Sequence, residues 1–289
     1  MKYLKALVIL VFVTVLGFGV HFFKVKSPAA KVSLIGIGFP KCGTTYLFHF
    51  LESNPNVHYM RRPYDLKNLV TSSEINFFGN LSKQSYVKLG LREEGVKKKF
   101  RPPLKFYNSL IDKEKINIEK SPQYIWKRKS LEEIYKYNPN VKIVVQIRNP
   151  IDWLYSYYLH AKKHFKEPGI SEDISFEEFL KWPCPNDKSV TVLESGRFVK
   201  YLENVFDVFP KENVIILIHE KLGNFKTMSS ICDALSLPYP EEVVDLETSF
   251  KNPPHYKDKV SPELYSFLLD YYKPYNEKLY ELCNERFWD

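Results

Sequence analysis

Apolar residues fall into short runs separated by helix-like stretches. Val32–Ile37 is a β-type run that empties into a Gly-bounded turn, and a helix-like stretch follows over Tyr46–Ser53. A loop-rich stretch runs to Leu104. Beyond it the pattern predicts a short strand at Ile116–Ile118, a helix at Lys129–Tyr137, a β-branched strand at Lys142–Ile147 and an aromatic-rich helix at Trp153–His164. Helices around Phe176–Leu180 and from Gly196 to Phe209, a strand at Val214–Ile218 and terminal helices complete the series. Strands alternating with helices predict an α/β fold of P-loop-like type: a central parallel sheet flanked by helices, with its ligand at the strands' carboxyl ends.

The N-terminus breaks this pattern. Tyr3–Phe23 is apolar apart from Lys5, Thr14 and His21, and its part after Lys5 is about long enough to cross a bilayer as a helix. The expected division is a tail over 1–5, a transmembrane signal-anchor over 6–23, a linker over 24–31 and one globular domain over 32–289. A cleaved signal peptide is the rival, but Lys24–Lys31 gives only a weak cleavage site. Lysines on both flanks leave the orientation open.

The turn after the first run carries the first chemical signal. In Phe39-Pro40-Lys41-Cys42-Gly43-Thr44-Thr45 a strand passes through a glycine turn into a helix, which exposes backbone N–H groups and a helix N-terminus to an anion. It is not a Walker loop. Lys41 precedes Gly43, whereas G-x-x-x-x-G-K-[ST] sets the lysine directly after the second glycine, and Thr44 fills that slot.

The second signal is Val141-Lys-Ile-Val-Val-Gln-Ile-Arg148-Asn-Pro, continuing to Ser156. A buried-type strand ends in Arg148, Asn149-Pro150 break it, and Ser156 follows about two helical turns on. An arginine fork and a hydroxyl suit a phosphate with several oxygens.

Together the two segments resemble the cofactor signatures of the sulfotransferases that use 3′-phosphoadenosine 5′-phosphosulfate (PAPS). The resemblance implies that Lys41, Cys42, Gly43, Thr44 and Thr45 hold the 5′-phosphosulfate, and that Arg148 and Ser156 hold the 3′-phosphate. Ser73-Glu74-Ile75-Asn76-Phe77-Phe78 and Glu119-Lys120-Ser121-Pro122-Gln123-Tyr124 are similar to the E-x-x-F-F and E-K-S-P-x-Y elements of the Golgi carbohydrate branch, that of the heparan sulfate N- and 3-O-sulfotransferases. By that resemblance Glu74 is the general base and Lys120 reaches toward the reacting centre. His49 and His58 rank below Glu74 because neither stands in a matching motif. Leu269–Tyr280 resembles the branch's terminal helix. The disulfide-bounded K-G-R loop of that branch has no counterpart, so Lys257 is the expected third phosphate contact, with Lys251 and His255 as rivals. The resemblance further implies sulfuryl transfer by in-line displacement without a metal, a glycan or other hydroxyl or amine acceptor, and a single-pass type II Golgi protein with its catalytic domain in the lumen. One sequon, Asn80-Leu81-Ser82, is compatible with a glycoprotein.

Composition adjusts this picture only slightly. The chain has 289 residues, 44% hydrophobic and 16% aromatic, which suffices for one sizeable core. A net charge of +8 favours anionic ligands, and no nucleic-acid motif accompanies it. Cys42, Cys184, Cys232 and Cys283 lack zinc-site spacing. Cys42 is expected to stay a free thiol, and the other three could supply one disulfide. Two other classes remain: a nucleotide kinase, disfavoured because Arg148 stands where an acidic magnesium partner would be needed, and an inactive membrane-anchored glycan-binding protein, disfavoured because Lys41, Glu74, Arg148 and Ser156 are all present.

Overall fold

The computed structural model of the chain describes residues 30–61, 74–79, 103–164, 174–240 and 259–288. Five strands form one sheet: β1 (Val32–Gly38), β2 (Val57–Tyr59), β3 (Ile116–Lys120), β4 (Lys142–Ile147) and β5 (Val214–Ile218). Their order is β2-β3-β1-β4-β5, and every pairing is parallel. The register sets Gly36 beside Lys120 on one side and Val144 on the other, so the exits of β1, β3 and β4 share one edge of the sheet.

The strands are apolar on both faces because both faces are covered. Leu34 and Val144 point into a cluster with Leu47, Phe48 and Leu51 of α1 (Thr44–Glu52). Ile35, Ile37, Ile143, Val145 and Ile147 point into the larger cluster on the opposite face. Around these faces lie α2 (Leu104–Ser109), α3 (Arg128–Tyr137), α4 (Pro150–His164), α5 (Phe176–Leu180), α6 (Val192–Ser195), α7 (Phe198–Phe206), α8 (Phe225–Ala234) and α9 (Pro262–Cys283). Gly36 lets α1 lie close on β1: a Cβ there would stand 2.6 Å from the Phe48 ring.

The predicted α/β sheet is present, with three differences in detail. The stretch expected to be loop contains β2, which is only three residues long, and a short helix not expected, α2, follows it before β3. Strand β3 runs on to Lys120, carrying Glu119 and Lys120 inside the sheet. The helix expected over Gly196–Phe209 is shorter, α7 covering Phe198–Phe206, and a separate turn of helix, α6, precedes it. Arg197 leaves the helical region (φ −75°, ψ 69°), and the Gly196 backbone lies against Tyr272, whose hydroxyl would be 2.4 Å from an added Cβ. The optional disulfide is absent, since all four cysteines are free. No helix among the described residues is long and apolar enough to cross a membrane; the expected anchor over 6–23 and the sequon lie outside the described residues.

Candidate active site

The turn between β1 and α1 is anchored by its own backbone. Phe39 N–H donates to the Gln146 carbonyl at 2.7 Å, the Trp153 indole N–H donates to the Pro40 carbonyl at 2.8 Å, and the Gln146 amide donates to the Cys42 carbonyl at 3.2 Å. The Phe39 ring is packed among Trp126, Phe198 and Tyr201, with centroids 4.5–5.8 Å away. Carbonyls are thereby drawn into the protein. Gly43, at φ 78°, opens α1 without a side-chain cap, and the first turn holds no acidic residue. That leaves the positive end of the helix for an anion. Lys41 is held at φ 67°, a conformation that costs a non-glycine residue about 1 kcal/mol or more and recurs at ligand sites.

Two cations flank this turn. Lys120 is 3% exposed at the end of β3, and its ammonium donates to the Thr45 hydroxyl at 2.9 Å. Burial lowers its pKa, nearby Glu74 raises it and Arg61 lowers it, so Glu74 and Arg61 both lie within electrostatic reach of Lys120. On the other side Arg148, 4% exposed, leaves β4. Lys41 has its pKa lowered by burial and then by the Arg148 charge. Arg148 also acts on His219 at the end of β5, which burial and that arginine bring down to about 4, leaving a neutral imidazole at pH 7.

The structure thus brings Lys41, Cys42, Gly43, Thr44, Thr45, Lys120, Glu74 and Arg148 around one sheet edge. Ser156 is 9% exposed one turn beyond Trp153 on α4, on the face whose indole meets the turn between β1 and α1. Lys257, Lys251 and His255 lie outside the described residues. His58 is turned away: its Nε2 pairs with the Leu110 carbonyl at 3.0 Å. His49 lies 3.5 Å from Glu52 on α1. Burial pushes the Cys42 thiol well above its ordinary pKa, the wrong direction for a nucleophile. Among the described residues no group of three or more His, Cys, Asp or Glu side chains could hold a metal.

Glu119 and His219 carry no role in the sequence reading. Glu119 is wholly buried and accepts hydrogen bonds from Tyr107, Ser121 and Tyr124; an acidic residue inside an apolar strand was the available signal. Arg61 lies 4.5 Å over the Tyr59 ring and pairs with Glu52. A separate cleft of about 200 Å³ lies between the start of α4 and α9, lined among others by Asn149, Tyr272, Lys273 and Trp288; neither Lys41 nor Lys120 lines it.

Residues 33–255 match the sulfotransferase domain model. The chain belongs to the sulfotransferase family. This sulfotransferase is 22% identical to human heparan sulfate glucosamine 3-O-sulfotransferase 6 over 87% of its own length and 71% of that protein's. It is 27% identical to mouse heparan sulfate glucosamine 3-O-sulfotransferase 5 over 70% of its length, spanning 51% of that relative. With human carbohydrate sulfotransferase 15 it shares 26% identity over 53% of its length and 32% of the relative's. Its fold is that of a sulfotransferase from Alicyclobacillus acidocaldarius, with a TM-score of 0.64 at 20% identity, covering 89% of this chain and 98% of that one. In this sulfotransferase the turn between β1 and α1 and the strand-end Arg148 stand at the carboxyl edge of the sheet.

Proposed function

We propose that this sulfotransferase moves the sulfuryl group of PAPS to a hydroxyl or amine of a glycan by in-line displacement. The observation that carries the reading is the convergence of four separate segments: Lys120 reaches Thr45, Glu74 acts on Lys120, and Arg148 acts on Lys41. Two anion-binding features on neighbouring strands suit a nucleotide with phosphates at both its 5′ and 3′ positions. The N–H groups of α1, Lys41, Thr44 and Thr45 would hold the phosphosulfate, and Arg148 with Ser156 the 3′-phosphate, with Lys257 as a third contact. Lys41 and Lys120 supply positive charge for the departing phosphate oxygen and the transferring group. Glu74 takes the acceptor's proton as the nucleophile aligns, a task that requires it within hydrogen-bond reach of the acceptor.

The glycan acceptor is supported by the names of the relatives, which are heparan sulfate and carbohydrate sulfotransferases. The single-pass type II Golgi placement, with residues 6–23 as anchor and 32–289 in the lumen, belongs to the same proposal and rests on the apolar N-terminal segment and the family resemblance. The test is transfer of labelled sulfate from PAPS to heparan sulfate, chondroitin sulfate and small alcohols, alongside thermal stabilisation by 3′,5′-ADP and 5′-AMP. Transfer to a glycan, with 3′,5′-ADP stabilising far more than 5′-AMP, is expected. Equal stabilisation by both nucleotides, or transfer to small alcohols alone, overturns the respective half of the reading.

A further inference from the structure

The buried carboxyl of Glu119 sits behind the proposed base, and its contacts reach that segment through two hydroxyls. Ser121 Oγ donates to Glu119 Oε1 at 2.8 Å and accepts from the Asn76 N–H at 2.9 Å. Tyr124 Oη donates to the same oxygen at 2.8 Å and accepts from the Phe78 N–H at 3.2 Å. Tyr107, on α2, donates to the other oxygen, Oε2. Ser130 then closes the far end by donating to the Phe78 carbonyl at 2.9 Å. Each hydroxyl has one proton, and Glu119 dictates where it points. With both protons spent on the carboxylate, the hydroxyl lone pairs face the amides two and four residues after Glu74.

We propose that Glu119 is the positioning residue of the Glu74 segment, its carboxylate orienting the Ser121 and Tyr124 hydroxyls so that they hold the Asn76 and Phe78 amides and fix Glu74 against Lys120. The next residue of β3 is Lys120 itself, so one short strand sets both the base segment and the cation beside it. Burial raises the Glu119 pKa, the three hydroxyl bonds lower it, and the Glu74 charge raises it again, which places the two carboxyl groups in electrostatic contact. The groups facing Glu119 are Tyr107 from α2, Ser121 and Tyr124 from the turn after β3, and Glu74; Tyr137 of α3 also feels its charge.

This inference rests on Glu74 as base for its kinetic readout but not for its structural one. Tyr124→Phe removes one relay while keeping the ring and the Glu119 charge; Ser121→Ala removes the other; Glu119→Gln removes the charge. Hydrogen exchange of the 74–79 amides needs no turnover, and we expect it to accelerate at least tenfold in Tyr124→Phe and Ser121→Ala while β1 stays protected. In turnover, kcat is expected to fall about 10–100-fold in all three, as a small misplacement of a reacting group does, with the dissociation constant for 3′,5′-ADP within twofold of wild type. In Glu119→Gln alone, loss of a like charge beside Glu74 shifts the acid limb of the kcat–pH profile to lower pH. Unchanged exchange and unchanged kcat in Tyr124→Phe overturn the inference, as does a parallel loss of kcat and 3′,5′-ADP binding in that variant. Should Glu119→Gln fail to fold, Tyr124→Phe decides alone. Accelerated exchange in a protein that transfers sulfate to no acceptor leaves the positioning role standing and overturns the functional reading instead.

Discussion

At the scale of the residue, charge is concentrated where water is scarce. Lys41 carries the clearest consequence. Burial and Arg148 hold its free-state pKa below the usual lysine value, and a bound phosphate would pull it back up. Affinity for 3′,5′-ADP is therefore full below the free-state pKa and is lost as pH rises through it toward the bound-state value. Calorimetric titration from about pH 7 upward should show a dissociation constant that is flat at first and climbs before the ordinary lysine range; Lys41→Arg, which stays charged, should remain flat. Equal alkaline loss in both proteins would assign it to another group. The turn at Lys41–Thr45 and Arg148 could be singled out in the sequence because each lies in one contiguous strand-to-helix segment. Glu119 could not, since its partner Tyr107 comes from α2 and its link to the segment after Glu74 runs through the Ser121 and Tyr124 hydroxyls. His219 was hidden for the same reason: only the sheet brings it beside Arg148.

At the scale of the element, strands β1 and β4 were legible from their runs of buried aliphatic residues, and β5 from an aliphatic run that is half-buried over its first three positions. Three-residue β2 was not, because Val-His-Tyr owes its conformation to pairing with Ile116–Ile118 rather than to any pattern of its own. The turn between α6 and α7 was also invisible, since Tyr272 of α9, which lies against Gly196, comes from far along the chain. The seating of α1 on β1 depends on Gly36. Gly36→Ala forces the buried Phe48 ring to move and should cost about 1–3 kcal/mol in urea unfolding, as overpacking does. Because that shift displaces the helix whose N-terminus is proposed to hold the phosphosulfate, affinity for 3′,5′-ADP should fall with it. A variant of wild-type stability would show that Phe48 has room to turn.

At the scale of the whole molecule, the end of the chain is tied back to the centre. Glu220 accepts from the Asn149 N–H at 2.8 Å and from the Trp288 indole at 3.1 Å, and Tyr280 donates to the Trp288 carbonyl at 2.7 Å. Trp288 is 7% exposed. Trp288→Ala should cost about 3 kcal/mol, as loss of a buried aromatic does, lowering the melting temperature by several degrees and weakening 3′,5′-ADP binding, because Glu220 braces the residue after Arg148. Unaltered binding in the destabilised variant would confine the tail to a packing role. The strand order has a different kind of consequence, one felt while the protein is being made. Among the described residues β1 is the first strand to leave the ribosome and the central one in the sheet, yet Leu34 waits for Ile118 on one side and Lys142 on the other. Translation delivers ~5–20 residues per second, so the apolar edges of β1 wait on the order of ten seconds for their second neighbour. In that interval the nascent chain offers a naked strand to chaperones and to other chains, and β1 is flanked on both sides only when the fourth strand has been synthesised.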